Sequence, residues 1–512
     1  MTTPLRTIVI GAGIGGLAVA LRLRAMGRDV HVMERAFEVG GKMRTVPSEA
    51  GPVDTGPTVL TMKPVFDELF QSIGAELDEH LTLINEPHLA RHWWRDGAEL
   101  DLWQDRARSA REIGGIFGAA AKEDYLRFAA EAERLFEAFD APMMKAAQPS
   151  PLALTARVLQ EPSLIPAMSP LSTLARKLDR AFRDPHLRQL FGRYATYVGG
   201  SPYGSPAILS LISHSEAAGV WRVEGGMHAL ALSLKALAED RGVSFQTDAE
   251  VKRIEVQGGE VAAVHTADGR HPCDEAVFNG DPRALALGKL GASAASAVPA
   301  KPLENRSLSA QVLAFAARIK GPDLVHHNVF FAQDPRDEFG PIARGRNPEF
   351  PTLYICAEDR GTGITPPDLE RFEIIMNAPP LSLSEKAADP TAKEKEACRQ
   401  RTHRKLAQFG LTFESSLPDA ALTIPREWDQ LFPGSAGSLY GQSPHGMMAA
   451  FKRPTARTRL KGLYLVGGGT HPGAGVPMAT LSARHAAAAM AQDQISTSTS
   501  RPTATRGGMS TA

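Results

Sequence analysis

The stretch "TIVIGAGIGGLAVALRLRAMGRDVHVMER", Thr7 to Arg35, decides the fold. A β-branched run precedes the glycine spacing G-x-G-x-x-G, and apolar residues at helical spacing follow it, so the stretch predicts a strand, a tight turn and a helix. Gly27 ends the helix, and a second strand closes at Glu34, where the ribose hydroxyls of a dinucleotide need an acceptor. The strand, the glycine turn, the helix and the second strand, in this order and spacing, predict a Rossmann-type α/β unit that binds a dinucleotide. The alternative is a unit of the same fold that binds no ligand.

The three glycines of the turn have different physical tasks. Gly11 permits the turn, Gly13 lets a pyrophosphate approach the backbone, and Gly16 lets the helix pack closely on the strand. The helix N-terminus adds free N–H groups and the positive end of its dipole. We therefore predict Gly11, Gly13, Gly16 and Glu34 as cofactor contacts.

The run "EVGGKMRT", Glu38 to Thr45, follows the second strand and narrows the choice of cofactor. Gly41 allows close backbone approach, and Lys42 and Arg44 supply countercharge to a pyrophosphate, although a solvated basic turn is the alternative. The run resembles the GG[RK]-x-x-[ST] extension of the glutathione-reductase-like flavoproteins, which points to FAD. That resemblance also implies flavin contacts at Pro57, Thr58, Val59 and Leu60, and an adenine contact at Val251.

Composition excludes several other classes of protein. The 512 residues are 43% hydrophobic and carry 57 basic and 57 acidic side chains, so no net charge attracts nucleic acid. Cys273, Cys356 and Cys398 have no metal-binding spacing, so we predict no metal site and a reduced cytoplasmic compartment. No signal peptide and no window of about eighteen uncharged apolar residues is evident, so we expect neither secretion nor a membrane span.

The chain divides by pattern into several segments, and it indicates no oligomeric state. The predicted FAD-binding domain consists of residues 1–63, 226–299 and 431–492. An α+β substrate domain is expected at 300–430 and a disordered Ser/Thr-rich tail at 493–512. Helical periodicity predicts a helical substrate-access region at 64–225, whose Leu/Met/Pro-rich part, Pro149 to Leu174, fits a core, an apolar channel or a membrane contact.

A second glycine-rich motif lies near the end of the chain. "LYLVGGGTHPGAGVPMA", Leu463 to Ala479, reads as a buried strand, a loop and a helix N-terminus. Its five glycines exceed what helix capping requires. We predict that this helix N-terminus faces the pyrimidine edge of the flavin, with contacts at Gly469, Thr470, Pro477 and Met478.

Motifs spread along the chain carry a family resemblance: "VIGAGIGGLAVALRL", "GGKMRT", "DTGPTVLTM", "VWRVEGGMHAL", "VFNGDP" and "YLVGGGTHPGAGVPMATLSARHAAA". Together they resemble the bacterial phytoene desaturase-like carotenoid desaturases nearly end to end, and within them the 1-hydroxycarotenoid 3,4-desaturase branch. One departure concerns Gly469 and Thr470, which stand where more distant flavoproteins place an acidic residue that holds the ribityl chain. We expect backbone groups and the Thr470 hydroxyl to take that contact.

The resemblance implies FAD-dependent introduction of the 3,4 double bond into acyclic 1-hydroxy or 1-methoxy carotenoids. A hydride passes to the flavin and a proton is lost, and the candidate proton acceptors are Glu216, His214 and His471. A purely structural role is the alternative for each, because a polar residue near glycines usually fixes a loop. The candidates for the substrate entrance, or else buried packing, are Arg193, Tyr194 and Tyr197.

A carotenoid is insoluble in water, so the resemblance also implies a location at a membrane. We expect a cytoplasmic protein attached peripherally to the inner, intracytoplasmic membrane through Pro149 to Leu174. Rival functions are a phytoene desaturase or carotenoid isomerase of the same family, and an amine or porphyrinogen oxidase with the same N-terminal motifs. A rival of another class is a prenyl-lipid-binding protein resembling the GDP-dissociation inhibitors, against which the intact glycines and Glu34 count.

Overall fold

The structure is a computed structural model that describes residues 4–361, 363–382, 392–414 and 421–499. Its strands, in chain order, are β1 Arg6–Ile10, β2 Asp29–Met33, β3 Arg44–Val46, β4 Val53–Thr55, β5 Leu60–Thr61, β6 Leu83–Asn85, β7 His88–Trp93, β8 Glu99–Trp103, β9 Val220–Val223, β10 Ser244–Gln246, β11 Arg253–Gln257, β12 Glu260–Thr266, β13 Gly269–Pro272, β14 Glu275–Phe278, β15 Ser309–Ala317, β16 Ile319–Lys320, β17 His327–Phe330, β18 Leu353–Ala357, β19 Glu370–Ala378, β20 Thr412–Phe413, β21 Leu422–Thr423 and β22 Leu463–Leu465.

The α-helices cover the faces and one end of these sheets. They are α1 Ile14–Ala25, α2 Lys63–Ser72, α3 Arg106–Phe117, α4 Ala119–Phe139, α5 Pro151–Gln160, α6 Leu164–Met168, α7 Leu174–Ala181, α8 Pro185–Gly192, α9 Ile212–Ala217, α10 Met227–Asp240, α11 Pro282–Ala286, α12 Pro335–Ala343, α13 Ala392–Ala407, α14 Pro425–Leu431, α15 Ala449–Lys452 and α16 Val476–Thr499. Among the helices of the described ranges, none combines the length and the apolarity needed to cross a bilayer.

A parallel five-stranded sheet forms the predicted α/β unit, with strand order β10-β2-β1-β14-β22. Helices α1, α10 and α16 pack together against it in one apolar core. Strands β1 and β14 lie side by side although they are far apart in sequence, so the segments that were predicted to form one domain meet in one sheet. The carboxyl ends of these strands carry the glycine turn and the loop before α16, where ligands bind in sheets of this type.

A mixed seven-stranded sheet, with order β21-β15-β19-β18-β17-β7-β8, forms the second layer. Strands β7 and β8 belong to the segment 64–225, which we predicted to be helical, and β7 pairs in parallel with β17. The prediction was wrong for these strands, which form an antiparallel pair that joins the sheet through β17, more than 200 residues away in the chain. Short strands depend on such tertiary pairing.

The C-terminal helix also departs from the prediction. Helix α16 continues to Thr499, so residues 493–499 of the predicted disordered tail are helical. The Asp493 carboxylate accepts hydrogen bonds from the Arg457 guanidinium and from the Tyr464 hydroxyl, which ties this turn to the sheet. Residues 500–512 of the predicted tail lie outside the described residues.

Candidate active site

A continuous cavity of ≈ 2380 Å³ lies between the two large sheets and reaches into the helical region. The glycine turn after β1, the loop before α16 and one face of the mixed sheet all line it. Small-molecule sites usually occupy about 300–1,000 Å³. The cavity therefore has room for a dinucleotide and a second, long ligand.

The turn after β1 is a cradle without side chains. Gly11 has φ +99°, and Gly13 is the N-cap of α1 with no side-chain cap, so the first-turn N–H groups are available at the cavity. A Cβ on Gly16 would lie 2.0 Å from the Gly11 carbonyl oxygen, and one on Gly41 would lie 3.1 Å from the Gly13 Cα. Asn279 donates a hydrogen bond from Nδ2 to the Gly11 carbonyl at 3.1 Å and supports the turn from β14. A diphosphate fits this cradle.

Glu34 is held at the end of β2, on the cavity wall. Its carboxylate accepts hydrogen bonds from the backbone N–H groups of Ala12, at 2.6 Å, and Ala36, at 2.9 Å. These bonds fix the carboxylate beside the glycine turn while leaving acceptor capacity for a ribose. Val251 lines the same cavity.

Lys42 and Arg44, the two cations predicted to balance the charge of a diphosphate, lie on the cavity wall. Burial in the cavity wall lowers the pKa of Lys42 to about 8, and its Nζ donates to the Leu439 carbonyl. Arg44 lies over the ring of Trp428, 5.6 Å from its centroid. The Nη1 atom of Arg44 is buried and has no hydrogen-bond partner among the described residues. An unpaired guanidinium nitrogen on this wall fits an anionic group such as a diphosphate.

The predicted flavin contacts divide into two groups. Those that line the cavity are Gly469, Pro477, Met478, Pro57, Thr58 and Val59. Leu60 does not, because it is fully buried in the core around α1 and pairs with Trp221 across β5 and β9. Thr470 is also fully buried, and its hydroxyl donates to the Val466 carbonyl. The expected contact of the Thr470 hydroxyl with the ribityl chain is therefore wrong, and only backbone groups of this loop remain for it.

None of the three predicted proton acceptors lines the large cavity. Glu216 is buried and accepts hydrogen bonds from the hydroxyls of Tyr194 and Tyr197. His214 lines a separate small cavity, its ring packs on Phe136, and burial lowers its pKa. These predictions failed because the direction of a side chain follows from packing, not from its distance in sequence to a motif.

His471 lies behind the glycine loop that was predicted to face the flavin. Its Nε2 is 2.8 Å from the Ala146 carbonyl oxygen, and its ring is stacked on that of His485 at 5.7 Å. Burial lowers the pKa of His471, so the imidazole is a neutral hydrogen-bonded part of the loop support. The structural role that we kept as an alternative is the one that its contacts favour.

The predicted substrate-lining residues form one network with Glu216. Arg193 and Tyr197 line the cavity, whereas Tyr194 is buried behind Tyr197. Burial by itself would lower the pKa of Arg193, but Tyr197 and Glu216 hold it above its ordinary value, so the guanidinium stays charged and paired.

The sequence reasoning missed the polar residues of the mixed sheet. Tyr354 lines the cavity. Its hydroxyl donates a hydrogen bond to Thr58 Oγ1 at 2.7 Å and lies 2.7 Å from His327 Nδ1. Glu338, Thr352 and Asn377 form a second polar group on the same wall. The sequence offered one indication of this group, the single asparagine of the stretch "EIIMNA". The spacing of residues alone does not show which face of the strand that asparagine occupies.

Three buried carboxyl groups support the segment that leads to Pro57. Asp54 accepts backbone hydrogen bonds from the start of α10, Glu358 accepts one from Asp54 N, and Glu373 accepts one from Gly56 N. Burial, together with the neighbouring Asp54 charge, raises the pKa of Glu358 to about 8. These groups hold the cavity wall in place and do not line it.

A cluster of potential metal ligands, His326, His327 and Cys356, is fully buried beside Tyr354, although the sequence predicted no metal site. Their ligand atoms lie within 4.8 Å of one another. His326 Nδ1 is already bonded to the Ala357 carbonyl and His327 Nδ1 to Tyr354, and burial lowers the pKa of both histidines. Neutral hydrogen-bonded packing accounts for the cluster.

Comparison with known proteins identifies the family. The profile of "Flavin containing amine oxidoreductase" matches residues 14–491. The chain is 54% identical over 495 residues to a hydroxyneurosporene desaturase of Cereibacter sphaeroides, covering 96% of this chain and 99% of the relative. It is 44% identical to the hydroxyneurosporene desaturase of Rubrivivax gelatinosus, covering 100% and 98%.

Among solved structures, cyclohexylamine oxidase from Brevibacterium oxydans superposes with a TM-score of 0.59 at 18% identity, covering 96% of this chain and 100% of that one. Such a distant similarity supports the fold alone. The cradle and the cations described above fit FAD, the cofactor of this class of oxidoreductase. The chain belongs to the flavin-containing amine oxidoreductases and, within them, to the carotenoid desaturases, and it is an FAD-dependent oxidoreductase.

Proposed function

We propose that this desaturase introduces the 3,4 double bond into acyclic 1-hydroxy carotenoids such as hydroxyneurosporene, or into their 1-methoxy counterparts. The observation that carries the proposal is a single cavity that joins the dinucleotide cradle to an apolar channel. Three relatives, each named hydroxyneurosporene desaturase, support the choice of substrate.

The proposed cofactor site follows the cavity wall from the glycine turn to the mixed sheet. Gly11, Gly13 and the N-terminus of α1 hold the diphosphate, with Lys42 and Arg44 as countercharges. Glu34 holds the adenosine ribose, and Val251 meets the adenine. The segment 57–59 and the N-terminus of α16 would hold the ring system. When bound, FAD supplies the hydride acceptor.

The proposed channel accepts the long polyene. Its apolar lining comes from the helical region and includes Met143, Leu154, Met168, Leu171, Ile208 and Leu211. The polyene itself stabilises positive charge that develops beside the reacting bond. The protein therefore needs to hold the bond in a dry position next to the ring system and to accept one proton.

The group that best fits proton acceptance is the Tyr354 hydroxyl, since it lines the cavity beside Thr58. In the structure the Tyr354 hydroxyl donates to Thr58 Oγ1, and His327 Nδ1 lies 2.7 Å from the same oxygen. In the proposed step the hydroxyl turns toward His327, so that as the substrate C–H bond breaks the proton binds the Tyr354 oxygen and the Tyr354 proton passes to His327 Nδ1. Burial lowers the pKa of His327, so its ring is neutral before the step. The proposal requires the tautomer that carries its proton on Nε2, in which Nδ1 accepts. A weak base suffices because a proton beside a conjugated cation is strongly acidic.

The proposed membrane attachment uses exposed apolar side chains of the helical region. Leu152 is 82% exposed, Leu159 71% and Leu171 84%, and Ile165 is also exposed. We call these four residues the membrane-contact patch. Leu171 also lines the cavity, which gives a lipid-dissolved carotenoid a short path inside. The proposal places the protein on the cytoplasmic side of the inner membrane as a peripheral protein.

The test is anaerobic incubation of the FAD-loaded protein in liposomes with neurosporene, 1-hydroxyneurosporene or phytoene. The readouts are flavin bleaching and the visible spectrum of the product. We expect bleaching and a red-shifted product from the hydroxylated substrate. Bleaching by phytoene alone would assign an earlier desaturation step, a geometric isomer without bleaching would assign isomerisation, and bleaching by cyclohexylamine alone would assign amine oxidation.

A further inference from the structure

A small polar cluster lies on the part of the cavity wall that the mixed sheet and α12 form. It consists of Glu338 on α12, Thr352 just before β18 and Asn377 on β19, and all three line the cavity. Glu338 is only 2% exposed. Its Oε1 accepts a hydrogen bond from Asn377 Nδ2 at 2.8 Å, and its Oε2 accepts one from Thr352 N at 3.4 Å.

The cluster has unused hydrogen-bonding capacity that faces the cavity. Asn377 is partly exposed there, and its Oδ1 accepts no hydrogen bond from any described residue. Because Glu338 holds the amide nitrogen, the carbonyl oxygen of Asn377 is fixed as an acceptor. A purely apolar ligand would cover this oxygen without pairing it, which is unfavourable.

The position of the cluster along the sheet matches the end of a 1-hydroxylated carotenoid. Ile375 on β19 pairs with Tyr354 on β18. Because the Tyr354 hydroxyl bonds Thr58, this pair of residues lies beside the segment that we assign to the flavin. Asn377 follows two residues later on the same face, about 7 Å along the strand. Standard bond lengths put a hydroxyl on C1 roughly 4 Å from the centre of the C3–C4 bond. When C1 is on the Asn377 side, a C3–C4 bond beside Tyr354 brings the hydroxyl within reach of the Asn377 side chain.

We infer that Glu338, Thr352 and Asn377 form a subsite for the tertiary hydroxyl of the substrate. This inference rests on the proposed function and extends it to the residues that select the substrate end. The hydroxyl donates its proton to Asn377 Oδ1, and Glu338 is a positioning residue that orients the amide. A methoxy group has no proton to donate, so the subsite favours the hydroxylated substrate over its methoxylated counterpart.

The test compares kcat/KM for 1-hydroxyneurosporene and neurosporene in the FAD-loaded full chain. Asn377→Leu should lower the wild-type preference for the hydroxylated substrate on the order of 10-fold to 100-fold. Asn377→Ala, which adds no bulk, serves in its place if the leucine variant fails to fold. Gln311→Leu is the matched control, because Gln311 lies on β15 and bonds Arg401 on the opposite face of the same sheet.

A second pair of variants tests positioning by Glu338. Glu338→Gln should keep the preference, since the amide oxygen of glutamine still accepts the Asn377 hydrogen bond, whereas Glu338→Leu should lose it. Affinity for each carotenoid, measured by quenching of Trp94 and Trp428 on the cavity wall, gives a readout besides turnover. A wild-type preference that survives Asn377→Leu and Asn377→Ala in folded, flavin-loaded protein overturns the inference. Wild-type protein that does not convert the hydroxylated substrate overturns the proposed function itself, and the inference with it.

Discussion

Replacing Leu152 and Leu159 by aspartate should release the protein from membranes. Both side chains lie on α5, a helix with no buried residue, and they are 82% and 71% exposed. Full burial of a leucine is worth roughly 2 kcal/mol, so insertion of these exposed fractions is worth about 3 kcal/mol. Each 1.4 kcal/mol is a factor of about ten in an equilibrium constant. The double variant should therefore bind liposomes on the order of 100-fold more weakly.

Flotation with liposomes, over a series of lipid concentrations, measures this partition coefficient. FAD content and the thermal unfolding midpoint should not change, because neither leucine packs against the core. The matched control is Leu287→Asp, since Leu287 is 51% exposed at the end of α11, outside the membrane-contact patch. Leu154, on the same helix, packs inward and is not a suitable site. Equal partitioning of the double variant and the wild type would refute the assignment of the patch.

Three further predictions test the cofactor site, the buried carboxyl groups and the proton acceptor. Gly16→Ala places a Cβ 2.0 Å from the Gly11 carbonyl oxygen and should yield protein without flavin absorbance, whereas Gly115→Ala, with open space around it, should keep its FAD. The pKa of Glu358 is about 8 in the folded protein and 4.5 in an unfolded chain. Between these two pH values the folded state keeps a proton that the unfolded state loses, so the free energy of unfolding falls as the pH rises from about 4.5 to about 8. Glu358→Gln should make urea unfolding less dependent on pH in that window, and an unchanged slope would contradict the assignment. Tyr354→Phe should slow anaerobic flavin reduction on the order of 100-fold or more. His471→Asn should lower the thermal unfolding midpoint and leave the rate of flavin reduction unchanged. Slow reduction in the His471 variant and normal reduction in the Tyr354 variant would instead make His471 the proton acceptor.

Sequence by itself determined the dinucleotide-binding unit, the cofactor and the family. Strand, turn and helix follow one another within 30 residues, so the tasks of Gly11 and Gly16 are local and can be derived from spacing. The cations Lys42 and Arg44 follow at once in the chain and also lie on the cavity wall. The resemblance to the carotenoid desaturases is confirmed by the matches over nearly the whole chain.

Only the tertiary structure decided which side chains meet at the cavity. Glu216, His471 and Thr470 turned out to point into the protein, while Tyr354 and Asn377 line the wall. The wall combines strands and helices that are far apart in sequence, and the pairing register of each strand determines which alternate residues face it. A shift of one residue would reverse every side chain of a strand, so this choice depends on long-range pairing that local sequence patterns do not encode.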